Sequence, residues 1–268
     1  MTVQWEEAYK RVEAARAKDR PLGRDYIDHL ISDFTELHGD RRFADDKAIA
    51  AGIGKLKNMP VTVIAIDKGR SVREKVACNF GSPHPEGYRK ALRQMKLAEK
   101  FKRPVLCIVD TPGAYPGIGA EERGQGAAIA ENLMEMMTLR TPIITLFIGE
   151  GGSGGALALA VADTVCMMEN AVYSVISPEG CASILWKDPK KMREAAACLR
   201  MTAQDLLALG AADYVIPEPE NFRVGTRSAK QVYYRLEDLL YAEFRKLIGM
   251  KTEILLERRY QRFRKFGK

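Results

Sequence analysis

Two apolar runs in this chain end in glycine-rich loops that lead straight into helical patterns. The first is Val105–Asp110, followed by Thr111-Pro112-Gly113-Ala114-Tyr115-Pro116-Gly117-Ile118-Gly119 and a helix from Glu121. The second is Ile143–Ile148, followed by Gly149-Glu150-Gly151-Gly152-Ser153-Gly154-Gly155 and the apolar stretch Ala156–Ala160. The leading N–H groups of a helix have no helical acceptor, and the macrodipole makes that end positive. Two such loops side by side could grip one anionic oxygen, the apparatus for stabilising an enolate or a similar anion.

The second loop fits three patterns at once. Gly149-Glu150-Gly151-Gly152-Ser153-Gly154 is a GxGxxG run with Glu169 20 residues beyond its first glycine, the layout of a dinucleotide fingerprint. Against that reading, the helix before Asp163 is short, and a similar unit precedes it. Gly151-Gly152-Ser153-Gly154-Gly155 also fits the GxSxG nucleophile elbow, whose triad runs serine, acid, histidine. The histidines, His29, His38 and His84, all precede Ser153, so the order fails. Ser153 reads instead as a small residue that admits close backbone approach. Asp110-Thr111-Pro112-Gly113 resembles the DxxG element of GTPases, yet no GxxxxGK[ST] loop accompanies it. The histidines lack metal spacing and read as polar surface or hydrogen-bonding residues, and Asp45-Asp46-Lys47 reads as a solvated turn. The cysteines, Cys78, Cys107, Cys166, Cys181 and Cys198, form no CxxC pair and read as small buried hydrophobes of a reducing compartment.

Behind the loops the pattern is α/β. Hydrophobic residues make up 46% of 268, enough for a large core. No run approaches the ~18 apolar residues of a membrane span. The first residues lack a secretory layout, so a cytoplasmic protein is expected. A helix is predicted from Trp5 to about Ala17 and another from Asp25 to Leu37. A hairpin follows, Ile49–Leu56 and Val61–Asp67 around Lys57-Asn58-Met59-Pro60. Lys68–His84 reads as a polar loop, and a helix runs from Pro85 to Phe101. Short strands are predicted at Thr164–Glu169, Val172–Ile176 and Asp213–Ile216. Ser177-Pro178-Glu179 is a helix start, with serine as cap and proline in the first turn. Thr202-Ala203-Gln204-Asp205 resembles a capping box with Gly210 as C-cap. From Ser228 to Phe263 the chain reads as helix, with a possible break at Gly249. Val232, Leu236, Leu239, Leu240, Phe244, Leu247 and Ile248 form one apolar stripe there, expected to serve as an interface. The net charge of +7 is concentrated partly in the tail Arg258–Lys268. Its aromatics could serve nucleic acid, but packing on a partner with solvated charges is the simpler expectation. A positive surface also suits coenzyme A phosphates or an acidic carrier.

Several segments together carry a resemblance. They are Gly39-Asp40-Arg41, Asp45–Ile49, Asn79-Phe80-Gly81, Pro85–Arg93, Asp110–Gly117, Gly119–Gln125, Gly149–Ala158 and Tyr173–Trp186. Over about residues 10–220 the chain resembles the carboxyltransferase alpha subunits of bacterial acetyl-CoA carboxylase, and Glu257–Arg262 resembles the family's ending. The N-terminus looks shorter than in many members. The resemblance implies a crotonase (ClpP/crotonase-like) fold, a ββα superhelix. It divides the chain into an N-terminal helical segment (1–24), a carboxyltransferase core (25–220) and a C-terminal helical segment (221–268). It implies transfer of a carboxyl group from carboxybiotin, borne on a carrier protein, to acetyl-CoA, giving malonyl-CoA for fatty acid synthesis. The implied partners are a beta subunit in an α2β2 assembly, the biotin carboxyl carrier protein and, in the full ATP-using complex, biotin carboxylase. No metal in this chain, no membrane and no nucleic acid are implied. Gly154 and Gly155 match the family's glycine pair, assigned here to the biotin oxyanion. Gly117, Ile118 and Gly119 would add facing amides. Gly151, Gly152, Ser177, Glu179 and Gly180 would line the carboxybiotin pocket, although simple helix capping explains Ser177-Pro178-Glu179-Gly180 equally well. Two other readings stand beside this one. A stand-alone crotonase-type hydratase or isomerase would need a carboxylate pair such as Glu121 and Glu179. A nucleic-acid binder would rely on the basic tail.

Overall fold

The computed structural model describes residues 2–220 and 222–266. In chain order the elements are α1 (Thr2–Ala15), α2 (Gly23–Leu30), β1 (Ile31–Glu36), β2 (Ile49–Leu56), β3 (Met59–Ile66), α3 (Val72–Ala77), α4 (Pro85–Lys100), β4 (Val105–Thr111), α5 (Ile118–Glu122) and α6 (Gln125–Thr138). There follow β5 (Ile143–Gly152), α7 (Ser153–Leu157), β6 (Thr164–Met168), β7 (Val172–Ser174), α8 (Pro178–Trp186), α9 (Met192–Leu199), α10 (Ala203–Ala208), β8 (Tyr214–Ile216), α11 (Arg227–Ile248) and α12 (Thr252–Arg264). One sheet orders its strands β1-β2-β3-β4-β5-β6-β8, with β7 paired to the far end of β5. The pairs β1–β2 and β2–β3 are antiparallel, and β3 through β8 run parallel. Every residue of β4 and β6 is buried, as expected of parallel strands covered on both faces. In such sheets the carboxyl ends of adjacent strands are where sites form, and both glycine loops leave from there. Among the described residues, no helix is long and apolar enough to cross a membrane.

In the first half of the chain three element boundaries change. The helix predicted to Leu37 stops at Leu30, and the chain continues as strand β1. Its partner strand explains this: a Cβ on Gly52 would lie 2.2 Å from the Thr35 carbonyl oxygen, and one on Gly54 2.4 Å from Ile31 Cγ2. Glycines inside a strand mark such an approach. The polar loop Lys68–His84 contains helix α3, started by a capping box in which Ser71 accepts from the Glu74 amide and Glu74 returns to the Ser71 amide. The hairpin turn is also tighter than expected, with Leu56 facing Met59 directly.

The C-terminal stripe is corrected most. Val232, Leu236, Leu240, Phe244 and Leu247 are buried within this chain, in the same cluster as the sheet residues Ile64, Leu106 and Phe147. That core crosses the boundary drawn at residue 220, and these five residues of the stripe are covered by the chain itself. Ile248 lies outside it, half exposed. The helix does break at Gly249. Nor is the tail merely solvated charge. Arg259 is fully buried and bidentate to Asp163 at 2.8 and 2.7 Å, with further bonds to the carbonyls of Met136, Leu139 and Thr141. Arg262 pairs with Asp213 and the Ala211 carbonyl. The Asp45-Asp46 turn is likewise built in. Asp46 is buried and accepts from the amides of Ala48 and His84, and Asp45 accepts from Gly39 and the buried Lys90. Cys198 is exposed, unlike the other cysteines.

Candidate active site

The two glycine loops meet. Parallel pairing of β4 with β5 brings Thr111 opposite Gly151, after a register shift that follows Val109. Beyond that pair the backbones touch without side chains between them. A Cβ on Gly152 would sit 2.1 Å from the Pro112 carbonyl oxygen, and one on Gly155 2.4 Å from the Ala114 amide nitrogen and 2.9 Å from Tyr88 Oη. Real Cβ atoms do not approach that closely, so the contact is available only to glycine. Gly154 is looser; a Cβ there would meet only Ile129 Cγ2, at 3.7 Å. Gly113 takes φ +145°, and its amide and carbonyl are both bonded by the Thr111 hydroxyl. The loop segment that faces Gly152 and Gly155 is therefore Pro112–Ala114. The expected facing amides lie further along: Gly117 caps α5 over the Tyr115 ring, Gly119 neighbours Arg123, and Ile118 is exposed.

Beside this junction lies a cleft of about 170 Å³. Gly151, Gly152, Ser153 and Ser177 line it, with Pro112 and Val175 among its walls. Ser177 caps α8 by accepting from the Gly180 amide at 3.1 Å, and Pro178 follows in the first turn. The capping role is thus real and places Ser177 on the cleft wall at the same time. Ser153 sits at φ +50° on the strand-to-helix turn, where a hydrolase would carry its nucleophile. The histidines are engaged elsewhere: His29 stacks on Tyr233, His38 contacts Asp45, and His84 stacks on Tyr115.

An ion network that sequence reasoning missed braces the cleft. Asp110 closes the first strand and Glu150 opens the second loop; the Glu150 amide donates to Asp110 Oδ1 at 2.8 Å. Lys68 Nζ bridges both carboxylates, at 2.6 Å to Asp110 and 3.0 Å to Glu150. Arg16, just past α1, joins Glu150 and Glu179, each at 2.7 Å. Burial opposes ionisation of Glu150, but Lys68 and Arg16 outweigh it and hold its carboxyl below the usual range. Burial also opposes the charge on Lys68, yet Asp110 and Glu150 prevail and raise it. Glu179 is held low in the same way: its partial burial is overcome by Arg16. Glu179 is therefore tied to an arginine, and Glu121 is exposed on α5, which removes the carboxylate pair of the hydratase reading. Glu169, the acid of the dinucleotide layout, is taken by Arg11 and the Glu218 amide. Among the described residues, no three His, Cys, Asp or Glu side chains gather as a metal-binding group.

Solved structures share this architecture. One is the transcarboxylase 12S hexamer with methylmalonyl-coenzyme A and methylmalonic acid bound, at TM-score 0.67 and 20% identity over 84% of this chain and 42% of that one. Another is a Pseudomonas malonate decarboxylase hetero-tetramer in complex with coenzyme A, at TM-score 0.67 and 19% identity over 88% and 91%. By fold, then, this is an α/β protein of the crotonase-like type. The family model "Acetyl co-enzyme A carboxylase carboxyltransferase-like" matches residues 4–267, and the chain belongs to that family. A relative from Ruminiclostridium cellulolyticum, named acetyl-coenzyme A carboxylase carboxyl transferase subunit alpha, is 58% identical over 97% of this chain and 98% of its own length. A Shouchella clausii protein of the same name is 54% identical over 97% of this chain and 79% of its own.

Proposed function

We propose that this chain is an alpha-type carboxyltransferase subunit. With a beta-type partner it moves the carboxyl group of carboxybiotin, carried on a separate protein, to acetyl-CoA, giving malonyl-CoA. The observation that carries the reading is the side-chain-free contact between Pro112–Ala114 and Gly152–Gly155, in a chain of this family. The site fits such a substrate. Its junction is built of peptide groups that a single Cβ would force apart, which suits recognition of an oxygen by amides. Carboxybiotin supplies the activated carboxyl group. Gly154 and Gly155 offer their amides to the ureido oxygen; one such donor is typically worth ~2.7–4 kcal/mol. Gly151, Gly152 and Ser177 form the wall, and Gly180 fixes Ser177 through the cap. Glu179 holds the wall to α1 through Arg16. In this mechanism Glu150 and Glu179 are structural anions, each already paired with a cation, so no side chain of the cleft serves as general base; the proton that the acetyl methyl group loses would go to the biotin nitrogen from which the carboxyl group departs. Gly117 caps α5 and Ile118 and Gly119 begin it, further along the loop than the Pro112–Ala114 contact.

Assembly would be α2β2, joined in the full complex by the carrier protein and biotin carboxylase, in the cytoplasm. The test is to purify the chain alone and with a beta-subunit candidate, then assay malonyl-CoA formation from carboxybiotin and acetyl-CoA. Activity should require both chains. Robust carboxyl transfer by the single chain overturns the proposal, and enoyl-CoA hydration by the single chain restores the stand-alone crotonase reading.

A further inference from the structure

Helix α7 is one turn long, too short to hold itself by its own hydrogen bonds. Three carbonyls in it and just after it are held from outside. Tyr88 Oη donates to the Gly155 carbonyl at 3.2 Å, Asn132 Nδ2 to that of Ala158 at 3.1 Å, and Thr145 Oγ1 to that of Leu159 at 2.7 Å. All three side chains are fully buried. They come from α4, α6 and β5, so the turn is fixed from three directions. Burial, with Asp46 nearby, keeps the Tyr88 phenol protonated and hence a donor. Asn132 leaves its own Oδ1 buried without a partner among the described residues. An orphaned acceptor weakens a fold, so this amide is a poor choice for packing alone; what it secures is the Ala158 carbonyl.

We propose that Tyr88, Asn132 and Thr145 are positioning residues that hold the Gly154–Gly155 turn in its working geometry, with Tyr88 foremost because it bonds the carbonyl of Gly155 itself. This rests on the reading that Gly154 and Gly155 face the reacting oxygen. The test uses the chain assembled with its partner subunit and compares four variants at matched active fraction. Tyr88→Phe keeps the ring and removes one hydrogen bond. Its kcat should fall about five- to tenfold, the scale of one net hydrogen bond, with KM for acetyl-CoA unchanged. Thr145→Val should behave alike, and it carries the test if Tyr88→Phe fails to assemble. Tyr26→Phe is the matched control: Tyr26 is fully buried and its hydroxyl has no partner among the described residues, so kcat should not move. Gly155→Ala should be nearly inactive. Wild-type kcat in Tyr88→Phe and Thr145→Val, with Gly155→Ala inactive, overturns the positioning proposal alone. Wild-type kcat in Gly155→Ala retires the glycine-pair reading and this proposal with it. A lowered melting temperature without a lowered kcat marks a purely structural role and also overturns it.

Discussion

At the scale of single residues, the site depends on where a Cβ is tolerated. Gly155 has no room for one, because the Ala114 amide would lie 2.4 Å away; Gly154 has room, with Ile129 at ordinary contact distance. Gly155→Ala should therefore part the two loops and cut carboxyl transfer by about 100-fold or more, the scale of one lost oxyanion donor. Gly154→Ala should fold normally and keep more than about a third of the wild-type rate. Steady-state kinetics on the assembled complex decide between them, and equal rates for the two variants would remove the loop contact from the mechanism. Ser153→Ala should be nearly silent despite the strained backbone there, because no histidine attends that hydroxyl. Complete loss of activity in a folded Ser153→Ala complex would bring the nucleophile back. Glycines of this kind were legible in the sequence because close backbone contact admits nothing larger. Tyr88, Lys68 and Arg16 were not, because their partners lie 67, 82 and 134 residues away in the chain.

At the scale of elements, the loops are held in register by charge. The Lys68 bridge between Asp110 and Glu150 ties the end of β4 to the end of β5, and Arg16, just past α1, ties Glu150 to Glu179 of α8. Glu150 titrates below its ordinary range, so its contribution to stability is fully present above the unfolded value of about 4.3 and is lost as pH falls through the lower folded value. Lys68 has the opposite sign: its contribution holds below the unfolded lysine value of about 10.4 and fades only above that. Between those limits these groups make stability flat in pH. Glu150→Gln should be less stable than wild type at pH 7, and the gap should close toward pH 3. Urea unfolding at the two pH values measures it; a gap that persists undiminished at pH 3 would mean the carboxylate charge is not what braces the loop. The missed elements have physical reasons too. Ser71–Glu74 carried a capping box, but α3 is six residues long and has no buried face, so no periodicity announced it. Strand β1 followed α2 without a breaker, and its only signal was the glycines of the strand it lies beside.

At the scale of the whole molecule, the C-terminal helices decide what can be separated from what. An apolar stripe at helical spacing must bury somewhere, and the sequence alone does not say whether on this chain or another. Here α11 lies on α2 and α12 on α6, and Arg259 fixes α12 to the start of β5 through Asp163, which also accepts from the Ile143 amide. The segment after residue 220 therefore completes the core that supports the glycine loops. Leu240 is fully buried in that core. Placing a carboxylate there without a partner costs far more than the loss of a leucine side chain. Leu240→Asp should accordingly destabilise the chain itself by more than about 4 kcal/mol, with or without a partner subunit. Circular dichroism melting of the isolated chain, together with sizing by light scattering, separates the possibilities. Early or non-cooperative unfolding of the variant on its own is the expected result. A variant that melts like wild type in isolation but fails to assemble would show that the stripe serves a partner after all, and that α11 leaves this core when the complex forms.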